Sequence, residues 1–310
     1  MLNEEIKKAT RESYGEAIAE LGKENKNIFV LDADLADATK SGTFKKVNPD
    51  RFIDVGISEQ DLVGTACGLT SFGKIPFASS FSVFMAGRAY DQIRMSVAYA
   101  NNNVKLVGSH AGITVGEDGA THQMLEDISM MRNLPNMKVF SVSDDVQTKA
   151  VVKYMAENFG PCYLRTSRVK TPRIYEDNED FSSLVPKVFG DGKDALVFAT
   201  GVTVAEALRA QKKLAEENIN ITVVDIYCIK PIDDEFIVNI SKDFDRIITV
   251  EDHMRVGGIG SLVCEILSEK CSKKVTRMGL ENFGQSGKAE DLIKYYKIDS
   301  ESIINEIKNN

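Results

Sequence analysis

No stretch of this sequence approaches the roughly 20 consecutive apolar residues that a helix needs to cross a bilayer, which excludes a membrane-spanning helix. The opening residues, MLNEEIKKATRES, bring acids at once and lack the apolar core of a secretory signal. Cysteine is sparse. Cys67, Cys162, Cys228, Cys264 and Cys271 form no C-x-x-C pair, and each sits in or beside an apolar run. That pattern predicts buried free thiols in a reducing compartment, and a cytoplasmic location is expected. Lysine and arginine (38) are outnumbered by aspartate and glutamate (46), giving a net charge of −8 with both signs mixed along the chain. A nucleic-acid surface would show a basic stripe, so that class of partner is excluded. Internal repeats and low-complexity tracts are also missing.

What the chain does have is alternation. Leu2, Ile6, Ala9, Ala17, Ile18 and Leu21 follow helical spacing, and NIFVLDAD then reads as a buried strand. KIPFASS, VKLVGS, MKVFSVS and PCYLRTS are further strands, separated by helices through DLVGTACGL, GRAYDQIRMSVAYA, MLEDISMMRNL and DDVQTKAVVKYMAEN. Ser58 and Ser143 stand where N-caps belong. Strands alternating with helices imply parallel βαβ units. The rhythm breaks in the charged, turn-rich segment around residues 168–194 and then resumes with ALVFATG, ITVVDIY, RIITVED and KVTRMG as strands. The expected fold is α/β, with two doubly wound domains and mostly parallel sheets: residues 1–170, a linker at 171–192, and residues 193–310.

Two segments carry chemistry. In DVGISEQDLVG, residues 54–64, Glu59 sits where a strand hands over to a helix, among apolar neighbours that would raise the pKa of a buried carboxyl. In SHAGITVGEDGATHQMLED, two of only three histidines, His110 and His122, flank a glycine-rich turn that carries Asp118. The loop lies between a strand and a helix, where open α/β sheets bind ligands, and its side chains can bind hydroxyls and move protons near neutral pH. VGGIGS at 256–261 lacks the full dinucleotide-binding spacing and reads as a tight turn with close helix packing.

These two segments together resemble the transketolase family of thiamine diphosphate enzymes. SSFSVF followed by RAYDQIR, ATR at 9–11, DADL at 32–35 and ENFGQSGKAEDLIKYY extend the resemblance over nearly the whole chain, but only to the C-terminal half of a full-length transketolase. GDG at 190–192, with Asn218 and Asn220 beyond it, mimics the family's metal–diphosphate motif. It leads into a strand rather than a helix, and so reads as a turn. The resemblance therefore implies the second subunit of a split transketolase, a pyrimidine-binding domain followed by the family's C-terminal domain. An N-terminal subunit, expected as an α2β2 heterotetramer, would carry the diphosphate and Mg2+ ligands, so no metal ligand is expected on this chain.

The resemblance also implies roles. Glu59 faces N1′ of the cofactor's aminopyrimidine and favours the tautomer that removes the thiazolium C2 proton. Phe81 and Phe84 pack against the pyrimidine, and Asp34 lies near the cofactor. His110 and Asp118 contact the substrate's hydroxyls near the reacting carbon, and His122 stands beside the covalent intermediate. Arg11 and Arg168 hold the sugar phosphate, where a guanidinium fork suits the anion. The phosphate-contacting serine of the family is replaced: Ala38 stands nearest, with Thr39 and Ser41 close by. The implied reaction is transfer of a two-carbon ketol unit from a ketose phosphate to an aldose phosphate. The β subunit of a 2-oxoacid dehydrogenase, a deoxyxylulose-phosphate synthase-like enzyme and a non-catalytic regulatory partner are the alternatives. The H-x(7)-D-x(3)-H spacing with two arginines favours a sugar phosphate over an oxo acid, and retention of Glu59, Asp118 and His122 speaks against a purely regulatory chain.

Overall fold

The computed structural model describes residues 2–309. The chain begins with β1 (Asn3–Ala9) and then builds β2 (Ile28–Asp32), β3 (Phe52–Asp54), β4 (Ile75–Phe81), β5 (Lys105–Ser109), β6 (Lys138–Ser141) and β7 (Cys162–Arg165). The second half contributes β8 (Lys170–Arg173), β9 (Lys187–Phe189), β10 (Ala195–Ala199), β11 (Ile221–Asp225), β12 (Cys228–Lys230), β13 (Ile247–Met254) and β14 (Val275–Leu280). A seven-stranded sheet runs in the order β12-β6-β7-β5-β4-β2-β3, and a five-stranded sheet in the order β14-β13-β10-β11-β9. All neighbours are parallel except the edge strands β12 and β9. The expected α/β class with mostly parallel sheets is thus observed. Parallel strands covered on both faces read as continuous apolar runs, as Ile28, Val30 and Leu31 do.

Topology fixes where a ligand can enter. From β2 the chain steps outward to β3 and then back past β2 to β4, so winding reverses between β2 and β4. At such a switch point the loops beyond the strands' carboxyl ends diverge and leave a crevice. The loop after β2, the Glu59 helix and the end of β4 all open onto it.

Several elements differ from the sequence reading. Residues 3–9 are not helical. They pair antiparallel with β8, and residues 3–7 are exposed on both sides of the strand, so no alternation betrayed it, and the helix begins at Thr10. Ser58 makes no side-chain cap, and Asp144 rather than Ser143 caps its helix, accepting from Gln147 N at 2.8 Å. The segment after β4 winds as π-helical turns at Val83–Arg88 and Ile93–Tyr99. β12 comes from the second half of the sequence but extends the first sheet. Cys162 and Cys228 are buried free thiols, while Cys67, Cys264 and Cys271 are half-buried. No helix among the described residues is long and apolar enough to cross a membrane.

The segment expected as a linker, residues 171–192, carries most of β8 and all of β9, and it is fastened rather than loose. Asp144 Oδ2 accepts from the backbone N–H groups of Ile174 and Tyr175 at 2.8 and 2.9 Å, and the Tyr175 hydroxyl donates to buried Asp225 at 2.7 Å. Asp144→Ala removes the helix cap and leaves three buried N–H donors unmet. At about 1 kcal/mol for the cap on Gln147 and 1–3 for each of the two other orphaned donors, chemical denaturation should register a loss of roughly 3–7 kcal/mol, with faster proteolysis between residues 176 and 186.

Candidate active site

The loop that follows β5 is shaped by the second sheet. Asp252, on β13, accepts from Ile113 N at 2.9 Å and from the Thr114 hydroxyl at 3.2 Å. Gly112 lies against that carboxylate with φ +78°, and a Cβ there would sit 2.0 Å from Asp252 Oδ2. Gly112 is therefore required both by its backbone angle and by the close approach. Gln123 donates to the carbonyls of Ile113 and Gln285, and Ser286 donates to that of Glu117. Beneath the loop, buried Arg165 donates to Asp127 at 3.0 Å and to the Asp252 carbonyl at 2.6 Å, while the Tyr163 hydroxyl also donates to Asp127.

On this base His110 takes a left-handed backbone angle (φ +57°) and turns its ring onto Phe81, with centroids 3.8 Å apart. Arg11 can only donate, so at 3.0 Å its guanidinium fixes His110 Nε2 as an acceptor; Nδ1 then carries the hydrogen and donates to Ser109 Oγ at 2.8 Å. Burial, reinforced by Arg11 and Arg168, pushes His110 down to about 3. His122 meets Phe84 edge-on at 5.5 Å, and Phe84 stacks with Phe81 at 5.9 Å. Glu59 opens its helix and is only 1% exposed; it accepts from Arg88 at 2.8 Å. Sequence reasoning missed Arg88. Its four-residue spacing from Phe84 was the available signal, since the guanidinium lies 4.7 Å from that ring's centre.

The charged groups pair off. Arg11 also donates to the Ala38 carbonyl at 2.8 Å. Arg168 meets Asp118 at 3.1 Å, with both side chains more than a third exposed, and donates to the Val115 carbonyl. Arg168 lies close enough to Arg11 for their like charges to lower the latter's pKa, though burial lowers it more. Thr39 and Ser41 both turn inward and donate to buried Asp32 at 2.7 Å, so neither hydroxyl faces the crevice in place of the missing serine. Burial pushes Asp32 up to about 6 against those donors. Asp34 is exposed at φ +59°, and Asp54 ties its N–H and that of Gly56 together at 3.0 Å each. Among the described residues no group of three or more histidine, cysteine, aspartate or glutamate side chains could hold a metal ion.

The His110 geometry fixes an observable. In long-range 1H–15N NMR spectra His110 should show the Nδ1–H tautomer and no titration between about pH 5 and 8, the range in which an ordinary histidine changes charge. A His110 ring that protonates near pH 6 would contradict the contact with Arg11.

Comparison with known proteins identifies a family. The transketolase pyrimidine-binding domain family matches residues 6–173, and the transketolase C-terminal domain family matches residues 187–303. A protein of Methanocaldococcus jannaschii described as a transketolase C-terminal section is 49% identical over 306 residues, covering 97% of this chain and 96% of that protein. Transketolase of Rattus norvegicus is 41% identical over 97% of this chain, which spans only 48% of the rat protein. A solved structure described as a split gene transketolase, inactive β4 tetramer, superposes with a TM-score of 0.90 at 42% identity, covering 97% of each chain. This chain belongs to the transketolase family.

Proposed function

We propose that this chain is the pyrimidine-binding subunit of a two-chain transketolase that moves a two-carbon ketol unit from a ketose phosphate to an aldose phosphate. The observation that carries the reading is Glu59: a carboxylate almost fully buried at the switch-point crevice, beside the stacked Phe81 and Phe84. A buried acid next to aromatic faces fits an aminopyrimidine, which offers both a ring nitrogen and a flat surface. Thiamine diphosphate, when bound, supplies the nucleophilic carbon. Glu59 would hold the proton at N1′, Phe81 and Phe84 would pack on the ring, and Asp34 would stand near the cofactor. The diphosphate and Mg2+ are assigned to an N-terminal subunit in an α2β2 assembly. The related split-gene structure is described as an inactive β4 tetramer, which supports the need for a second kind of chain.

The substrate reading rests on charge. Arg11 and Arg168 gather around His110 and make one end of the crevice cationic, as the phosphate of a sugar phosphate requires. The contact with Arg11 favours the anion end for His110, away from the reacting carbon where the resemblance put it. Asp118, in an exposed ion pair with Arg168, would read hydroxyl configuration. His122, against Phe84, would exchange protons with the substrate's oxygens.

Glu59→Gln keeps the shape but cannot hold the N1′ proton. In the two-chain enzyme it should retain cofactor binding and lose hydrogen–deuterium exchange at C2, and a normal exchange rate would remove Glu59 from this role. Arg168→Ala should raise KM for phosphorylated donors about ten- to a hundredfold, the worth of a charge-assisted hydrogen bond. Turnover of hydroxypyruvate, too short to reach the arginine, should barely change. Equal losses on both donors would make Arg168 structural.

A further inference from the structure

Glu59 has a problem that burial alone does not solve. A carboxylate removed from water with no partner is costly, and one free to rotate would present its oxygens to a ligand in no fixed direction. Arg88 addresses both. Its Nη1 donates to Glu59 Oε2 at 2.8 Å, and its own carbonyl accepts from Gln60 Nε2 at 3.3 Å. The first two residues of the Glu59–Thr70 helix are thus both tied to one residue of the opposite element. The guanidinium is in turn braced over the Phe84 ring at 4.7 Å, a contact that a lysine's compact, strongly hydrated ammonium would not match. Arg88 ends the π-helical turn Val83–Arg88, which also carries Phe84, and such turns recur at functional sites. Because Arg88 engages Oε2, Oε1 is the oxygen left to face a ligand.

We infer that Arg88 is a positioning residue for catalysis: it fixes the rotation of the Glu59 carboxylate and couples it to the Phe84 ring, so that acid and aromatic meet the aminopyrimidine as one preformed unit. The inference rests on the role proposed for Glu59. It assigns Arg88 no contact with the substrate. Arg88 is 49% exposed while Glu59 is 1% exposed, so the cation stands at the rim of the crevice and the acid in its wall.

The test uses the assembled two-chain enzyme carrying Arg88→Gln, Arg88→Lys or Glu59→Gln. Cofactor affinity is measured by calorimetry and C2 proton exchange by NMR, as separate readouts. Loss of one charge-assisted hydrogen bond predicts that Arg88→Gln slows exchange about ten- to a hundredfold, while the cofactor Kd changes by less than about threefold, within the range of a lost rim contact. Arg88→Lys, which keeps the charge but not the guanidinium fork, should recover only part of the rate. In the isolated chain, melting temperatures of Glu59→Gln, Arg88→Gln and the double variant should be non-additive, the double variant being more stable than Arg88→Gln alone; this readout needs neither cofactor nor partner. Normal exchange in Arg88→Gln alongside lost exchange in Glu59→Gln would overturn the inference and leave the proposed function intact. Additive melting shifts, equal losses of affinity and exchange, or tighter cofactor binding without slower exchange would also overturn it. Normal exchange in Glu59→Gln would instead defeat the underlying reading of the site.

Discussion

Asp252 belongs to the second sheet, yet its carboxylate is the peg on which the first sheet's histidine loop hangs. It takes the N–H of Ile113 and the hydroxyl of Thr114, and it fills the space that any residue but glycine would need at position 112. Arg165, from the end of β7, closes the arrangement from below through Asp127 and the Asp252 carbonyl. A buried carboxylate and guanidinium are tolerable only when their remaining hydrogen-bonding capacity is met, and here it is met across the two halves of the chain. Gln123 with Gln285 and Ser286 with Glu117 extend the same dependence along the rim. The C-terminal sheet therefore takes part in shaping the crevice although none of the candidate site residues lies on it.

From that base two chemically distinct ends follow. One gathers positive charge, Arg11 and Arg168, beside a His110 whose ring is kept neutral by burial and by those same cations and which, stacked on Phe81, joins the two ends. The other is walled by Phe81, Phe84 and the buried Glu59. His122 stands edge-on to the aromatic pair. A long polar molecule with an anionic tail and a reactive carbonyl matches this gradient, and the match depends on the loop angle at His110, hence on Asp252.

The parallel sheets were legible because buried parallel strands announce themselves as apolar runs, and the glycine-rich loop because few residue types tolerate the angles it needs. Glu59 stood out as a charge where periodicity called for burial. β1 was hidden because its residues 3–7 are exposed on both sides of the strand and leave no alternation to read. β12 was hidden because three residues that cross to another sheet carry no local mark. Asp32 looked like the end of a strand, and only its contacts with Thr39 and Ser41 reveal why those hydroxyls do not face the crevice. Arg88 and Asp252 share one cause of invisibility: each acts through a partner distant in sequence, and no local pattern encodes a contact between residues 29 or 139 positions apart.

The central claim is that this chain supplies half of one thiamine diphosphate active site. It is tested most directly by mixing the purified chain with the diphosphate-binding subunit, thiamine diphosphate and Mg2+, and following ketol transfer from a ketose phosphate to an aldose phosphate. Transfer by the mixture and by neither chain alone is the predicted result. Transfer by this chain alone, or a mixture that decarboxylates simple or branched oxo acids and leaves ketose phosphates untouched, would contradict it.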